Sequence, residues 1–424
     1  MRKQALLDWG RRALIALLLV SAVLLLRRTG YYDGIRSRFG GSIGAMAERN
    51  TGAQAALPHP TGVVLPLAVT VRPAESGGRW GAAYDAEQTA AAFQRFSVDL
   101  SEALGSAGAP DTLTEEDFRA CLNRCCVVMH FSEPLYLELL SGWLGIEMNA
   151  ETARQEVRIL CLSASETEAA LCCRTAAGEL FRCTTAVHAE GFRSRAAEFT
   201  PNGTIYSWES DRIPDGDDTV LLAELPEISA LKSAVPALRD GDPDAILTAL
   251  GMNSFVTSSY SEADGTVVYV SDETTMRVSP NGTVFFRRAG SPEAGEPAAL
   301  TEAVSRAYQT AEQCLGPFLG DGALHFAGVT DNAAQRSQTV LLDYTVNGIP
   351  VRLASGHAAE IVLRGETVIQ ARLQLRQFTL TEGRTELLPC VQAAAIAALR
   401  QGRPELVYAD AGDATECMWV ITDG

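Results

Sequence analysis

The chain has 424 residues, 47% hydrophobic and 21% charged, which is too long for one typical core and too apolar for extensive disorder. Its net charge is −17, yet residues 1–38 hold eight basic side chains against only Asp8 and Asp33, so the front carries +6 and the remainder −23. So acidic a body would repel nucleic acid, which argues against a nucleic-acid partner and leaves a soluble portion of two or three domains.

In chain order, the first element is an apolar stretch. Residues 13–26 read ALIALLLVSAVLLL, bracketed by Arg11 and Arg12 in front and by Arg27 and Arg28 behind. As a helix it covers roughly 21 Å of a hydrocarbon layer about 30 Å thick, so the flanking arginines must snorkel or the bilayer must thin. A cleaved signal peptide would place small residues close behind the apolar stretch; here two arginines follow, and the nearest A-x-A pattern, Ala45-Met46-Ala47, is distant. The expectation is an uncleaved single-pass anchor within 1–38, holding a large extracytoplasmic C-terminal portion at the cell membrane. Ala13, Ala16, Ser21 and Ala22 are its small residues, the type that lets a neighbouring membrane helix pack closely.

Residues 39–60, rich in Gly, Ala and Pro, read as a linker. A strand is expected over 63–72. Asp85 then caps a helix in which Phe93, Phe96, Leu100 and Leu104 recur at spacings of three and four. A second helix begins at Thr114, where Thr114-x-x-Asp117 resembles a capping box with Phe118, Leu122 and Cys125 lined up behind it. Residues 127–131 read as a buried strand, and β-like runs at 158–163, 169–174, 180–185, 196–199 and 204–208 as an antiparallel meander whose last hairpin turns at Asn202-Gly203.

The turn chemistry returns downstream, where MRVSPNGTVFF at 276–286 matches EFTPNGTIYSW at 198–208, a recurrence that leaves duplicated modules open. Breaks at 213–218 and 290–297 divide the soluble portion into an N-terminal α+β domain (61–215), a middle β-rich module (216–292) and a C-terminal α+β module (293–424). The last opens with a helix over 298–315. Strands follow at 340–344, 349–353, 358–363 and 368–379, with a turn at Asn347-Gly348; then come a helix over 391–399 behind Pro389 and closing strands at 405–408 and 418–422. The expected class is α+β with antiparallel sheets.

Chemistry-bearing motifs are sparse. The five histidines, His59, His130, His188, His325 and His357, are scattered with no H-E-x-x-H, and there is no G-x-S-x-G, Walker loop or G-x-G-x-x-G. No catalytic, cofactor-binding or metal-ligating residue is assigned, and no cofactor is expected. Ser229-x-x-Lys232 has the spacing of penicillin-interacting enzymes but neither companion motif, so it reads as a solvated helix face; Asp240-Gly241-Asp242-Pro243-Asp244 reads as a turn. Seven of the ten cysteines fall between Cys121 and Cys183, with Cys125-Cys126 and Cys172-Cys173 adjacent and no metal-site spacing, and they read as buried free thiols.

In the final module DYTVNGIPV at 343–351, the strand pair through Arg376-Gln377-Phe378-Thr379, Leu388-Pro389 with its alanine-rich helix, and Trp419 together resemble the YycH/YycI group. Leu250-Gly251-Met252-Asn253, Tyr260 and MRVSPNGTV extend the likeness to the chain from about residue 63 onward. That group comprises regulatory proteins of the WalK-WalR (YycG-YycF) two-component system, with one N-terminal membrane helix and an extracytoplasmic domain. The resemblance implies a non-enzymatic regulator of cell-wall metabolism whose partners are a sensor histidine kinase, contacted partly through membrane helices, and a sister regulator. The competing expectations are a cell-envelope hydrolase with unrecognised carboxylate chemistry and a purely structural envelope protein.

Overall fold

Alternating strands of β-branched and thiol side chains organise the first half into a sheet buried on both faces. In the computed structural model, which describes residues 66–423 apart from 76, 215, 240, 290–297, 333 and 413, this sheet comprises β1 (Ala68–Arg72), β2 (Trp80–Ala83), β3 (Asp111–Thr112), β4 (Cys125–Tyr136), β5 (Glu156–Ala164), β6 (Ala169–Thr175) and β7 (Leu180–Thr184). The order is β2-β1-β4-β5-β6-β7-β3 and every pairing is antiparallel. Period-2 alternation sends Val127 and Met129 of β4 into the larger core and Cys126 and Val128 into a second one.

Helices α1 (Ala86–Arg95) and α2 (Ser97–Gly105) cover the larger core, with Phe93, Phe96, Leu100 and Leu104 all buried. Asp85 caps α1 by accepting from Gln88 N at 3.0 Å. The one helix expected from Asp85 is thus two, parted at Phe96, whose ring is held against Phe192 and Phe199. α3 (Glu115–Asn123), capped by Thr114 accepting from Asp117 N at 3.1 Å, covers the second core with Phe118 and Leu122. Cys125 does not extend that helical face: the chain turns extended at Arg124, and Cys125 opens β4. α4 (Leu137–Leu144), α5 (Ala150–Ala153) and α6 (Ala189–Ala196) complete this half.

The expected hairpin at Asn202-Gly203 is absent, because 196–199 closes α6 and the following strand is only β8 (Ile205–Tyr206), paired with β9 (Val220–Leu221). Asn202 instead acts as a strand substitute for β2. Gly81 N donates to its Oδ1 at 3.1 Å, and its Nδ2 donates to Gly81 O at 2.8 Å.

The second sheet starts from β11 (Ser258–Ser261), β12 (Val267–Val270), β13 (Thr274–Val278) and β14 (Thr283–Arg288), and here the Asn281-Gly282 turn does join two strands, placing Val278 opposite Val284. It continues through β15 (Gly322–Asn332), β16 (Ser337–Val346), β17 (Ile349–Leu353), β18 (Ala359–Arg364), β19 (Thr367–Gln374), β21 (Gly402–Asp410) and β22 (Thr415–Asp423). The order is β11-β12-β13-β14-β19-β18-β16-β17-β21-β22, with β15 also on β16, so the middle strands and the C-terminal strands share one sheet. In this sheet, among the described residues, only β17 and β21 pair in parallel, with α9 (Cys390–Leu399) leading into β21. α8 (Leu300–Leu315) lays Ala303, Val304, Ala307, Ala311 and Leu315 onto the core.

The strand expected over 368–379 is interrupted at Leu375 and Arg376, where the Arg376 guanidinium turns to Asp410 (3.2 Å), and the chain leaves the sheet as β20 (Gln377–Arg384) to pair with β10 (Ser229–Ala234). Ser229 and Lys232 therefore lie on a strand, where positions three apart face opposite sides, and not on a helix face. Asp242 and Asp244 open α7 (Asp242–Ala249) behind Gly241, whose φ of 96° only glycine adopts freely, so that segment starts a helix. No helix among the described residues is long and apolar enough to cross a membrane. Residues 13–26, with Ala13, Ala16, Ser21 and Ala22, lie outside the described residues.

Candidate functional site

Two irregularities in the first sheet meet at Arg158. β4 and β5 pair as far as His130 opposite Ile159 and resume at Leu135 opposite Val157, so four residues of β4 arch over one of β5. β5 and β6 skip the same residue, pairing Val157 with Thr175 and Ile159 with Arg174. Pro134, which has no N–H to give a ladder, helps hold the arch open. Bulges of this kind re-aim side chains, and here they bring Ser132, Glu133 and Arg158 to the wall of a cavity of about 210 Å³. Arg352 of β17, Arg403 to Glu405 of β21, and Asp218 and Thr219 ahead of β9 also line it.

Tyr84, at the end of β2, also lines this cavity. Its φ of 60° is left-handed, a conformation that costs a bulky residue about 1–2 kcal/mol. The buried ring stands edge-on to Trp419 at 5.8 Å, tying the first sheet to the last strand of the second. Burial raises its hydroxyl well above the usual tyrosine range.

Charge around the cavity is dense and balanced. Arg352 donates through Nη2 to Glu405 Oε2 at 2.8 Å and lies 3.4 Å from Glu133 Oε1, so one guanidinium bridges two carboxylates from different sheets. Burial holds the Glu133 carboxyl above its ordinary value, with Arg352 opposing. Asp218 pairs through Oδ2 with Arg174 Nε at 2.7 Å, and burial likewise raises it against the pull of Arg174. Arg403 meets Asp217 at 2.8 Å. Burial, then the cations Arg403 and Arg79, push His130 down to about 3, so its imidazole is neutral. Just beyond, His357 Nδ1 lies 2.9 Å from Asp343 Oδ1, and that hydrogen bond raises the His357 value.

Pairing within the cavity is incomplete. His130 Nε2, Arg158 Nε, Asp218 Oδ1 and Glu405 Oε1 are buried atoms without a hydrogen-bond partner among the described residues. Such an arrangement is suited to binding a polar group, because each unmet buried donor or acceptor costs about 1–3 kcal/mol.

The sequence does not reveal this site. His130-Phe131-Ser132-Glu133-Pro134 carries a hint, since proline inside a strand marks a bulge, but Arg352 stands 219 positions from Glu133. The seven cysteines from Cys121 to Cys183 are buried free thiols set in the first sheet and α3, with Cys121 and Cys172 sulfurs 2.9 Å apart. No group of three or more His, Cys, Asp or Glu side chains able to hold a metal ion occurs among the described residues.

No family model matches the chain, and no curated protein matches it in sequence. Its structure is similar to the crystal structure of YycH from Bacillus subtilis, with a TM-score of 0.56 and 10% sequence identity, over 88% of this chain and 96% of that one. The chain has a YycH-like fold. At that identity the likeness is one of architecture, and it takes in far more of the chain than the C-terminal segment where the YycH/YycI motifs are densest. Mixed α and β elements with antiparallel sheets are common to the sequence expectation and to the YycH-like structure.

Proposed function

We propose that this protein is a membrane-anchored extracytoplasmic regulator that modulates a sensor histidine kinase of a two-component system. The observation that carries the proposal is the YycH-like fold, which accounts for 88% of this chain and nearly the whole of YycH. The motifs at 343–351 and 250–253 support it, as does the apolar stretch at 13–26 with arginines on both sides. In this reading the span stays in the cell membrane and the acidic body folds outside as a docking surface. Ala13, Ala16, Ser21 and Ala22 allow close approach of a kinase helix, and a sister regulator shares the assembly.

Control of this kind requires that the protein bind two states of the kinase unequally, since a regulator with equal affinity for both shifts nothing. A tenfold shift takes about 1.4 kcal/mol of differential affinity, within reach of a few helix contacts. The test is co-purification of the full-length protein from cross-linked native membranes. A histidine kinase is expected in the recovered complex, and less of it when 13–26 is replaced by an unrelated apolar span. Recovery of no kinase, or of a mature protein free in the medium and trimmed of its first residues, overturns the proposal.

A further inference from the structure

The cavity between the two sheets has a chemistry that kinase regulation does not call for. Three cations, Arg158, Arg352 and Arg403, face three acids, Glu133, Asp218 and Glu405, so a ligand carrying one sign of charge meets no net attraction. Their mutual pairing is nevertheless unfinished. Asp218 and Glu405 are only 4% and 8% exposed, yet each keeps one carboxylate oxygen without a partner. Arg158, held out of both ladders by the bulges, makes no ion pair among the described residues, and its Nε is buried without an acceptor.

Unmet acceptors on two carboxylates and an unmet donor on a guanidinium call for a molecule that brings both a cationic donor and an anionic acceptor. A space of about 210 Å³, roughly seven water molecules at ~30 Å³ each, has room for a free amino acid or a dipeptide. His130, whose unpartnered Nε2 also belongs to this wall, is neutral and adds a hydrogen-bonding position without upsetting the balance. The fold meanwhile sustains two bulges and a left-handed tyrosine around the same space, the kind of local cost that collects where a ligand is held.

From these observations we propose that the cavity bounded by Arg158, Asp218 and Glu405 is a binding site for a small zwitterion, a free amino acid or dipeptide, with its ammonium toward the two carboxylates and its carboxylate toward Arg158. The site stands independently of the kinase. It joins β4, β5 and the β9 approach to β17 and β21, so an occupant would tie the two sheets together.

The test uses the full-length protein in detergent micelles and isothermal titration with glycine, L-alanine, L-glutamate, L-lysine and L-alanyl-L-alanine. Acetate, methylammonium, N-acetyl-alaninamide and ribose serve as comparison probes. At least one zwitterion is expected to bind about tenfold more tightly than every comparison probe, to lose about tenfold in affinity in R158Q, and to keep its affinity in E227Q, which alters an exposed ion pair elsewhere. R158Q should melt close to the wild type, because Arg158 Nε has no acceptor and the charge acts on Glu133 only at a distance; if it melts early, D218N, which keeps an oxygen for Arg174, is used for the same measurement. Binding of no zwitterion, equal binding of ribose or of a singly charged probe, or full affinity in the variant used overturns the proposal.

Discussion

Asn202 and Asn281 sit in the same Pro-Asn-Gly-Thr sequence and do different work, one clamping the backbone of Gly81 and the other turning a hairpin. Local chemistry says that each can adopt a tight turn; that Asn202 goes to Gly81 instead is decided by a strand 121 positions away. His130 makes a sharper case at this scale. In the unfolded chain its imidazole takes up a proton near pH 6.5, whereas the folded ring, desolvated and near Arg403 and Arg79, does so only at about 3. The unfolded state therefore binds the extra proton between those values, and stability drains away as pH falls through that window. Chemical denaturation of wild type and H130Q across pH 3 to 7 should show the wild type losing ground as pH drops below 6.5, by at most about 1.4 kcal/mol per pH unit. Parallel curves would show that the ring is solvated in the folded state.

The β16 to β17 hairpin was fully legible, because Asn347-Gly348 between β-branched runs specifies a turn with both central residues at positive φ, here 49° and 78°. Its tip is also a docking point: a Cβ on Gly348 would stand 3.0 Å from Ala86 N at the start of α1. G348A should thus cost about 1–2 kcal/mol from backbone conformation alone, read as a lower urea midpoint, and an unchanged midpoint would remove that contact from the account. The capped starts of the helices behind Asp85 and Thr114 and the meander from β5 to β7 were legible for the same reason, a period matched to an end signal, whereas the break at Phe96 and the turn to strand at Arg124 were not. The run at 196–199 was not, since four residues of apolar pattern fit the end of α6 as well as a strand. Neither was β10, whose short mixed sequence becomes a strand only because β20 leaves the main sheet to meet it. The two bulges at Arg158 belong here too, for a register shift is written in two strands at once.

At the scale of the molecule, the two sheets are joined through a polar seam in which Arg352 holds Glu133 and Glu405. Removing the guanidinium leaves Glu405, 8% exposed, as an uncompensated carboxylate, so R352A should lose about 1–3 kcal/mol, a range that allows for solvent screening of the half-exposed arginine. Adding E405Q to R352A should restore part of that loss, and a strictly additive double variant would mean that the pair contributes no coupling. None of this seam was legible in one chain, because a three-member ion network is a product of topology. What the sequence did carry at this scale was the asymmetry of a basic, apolar front and an acidic body, and the motifs now matched by a YycH-like fold. The most direct test of kinase control is the phosphorylated fraction of the cognate response regulator, resolved on phosphate-affinity gels in cells with and without this protein. The account predicts a change of about fivefold or more in one direction, lost when 13–26 is replaced by an unrelated apolar span; an unchanged fraction would contradict it.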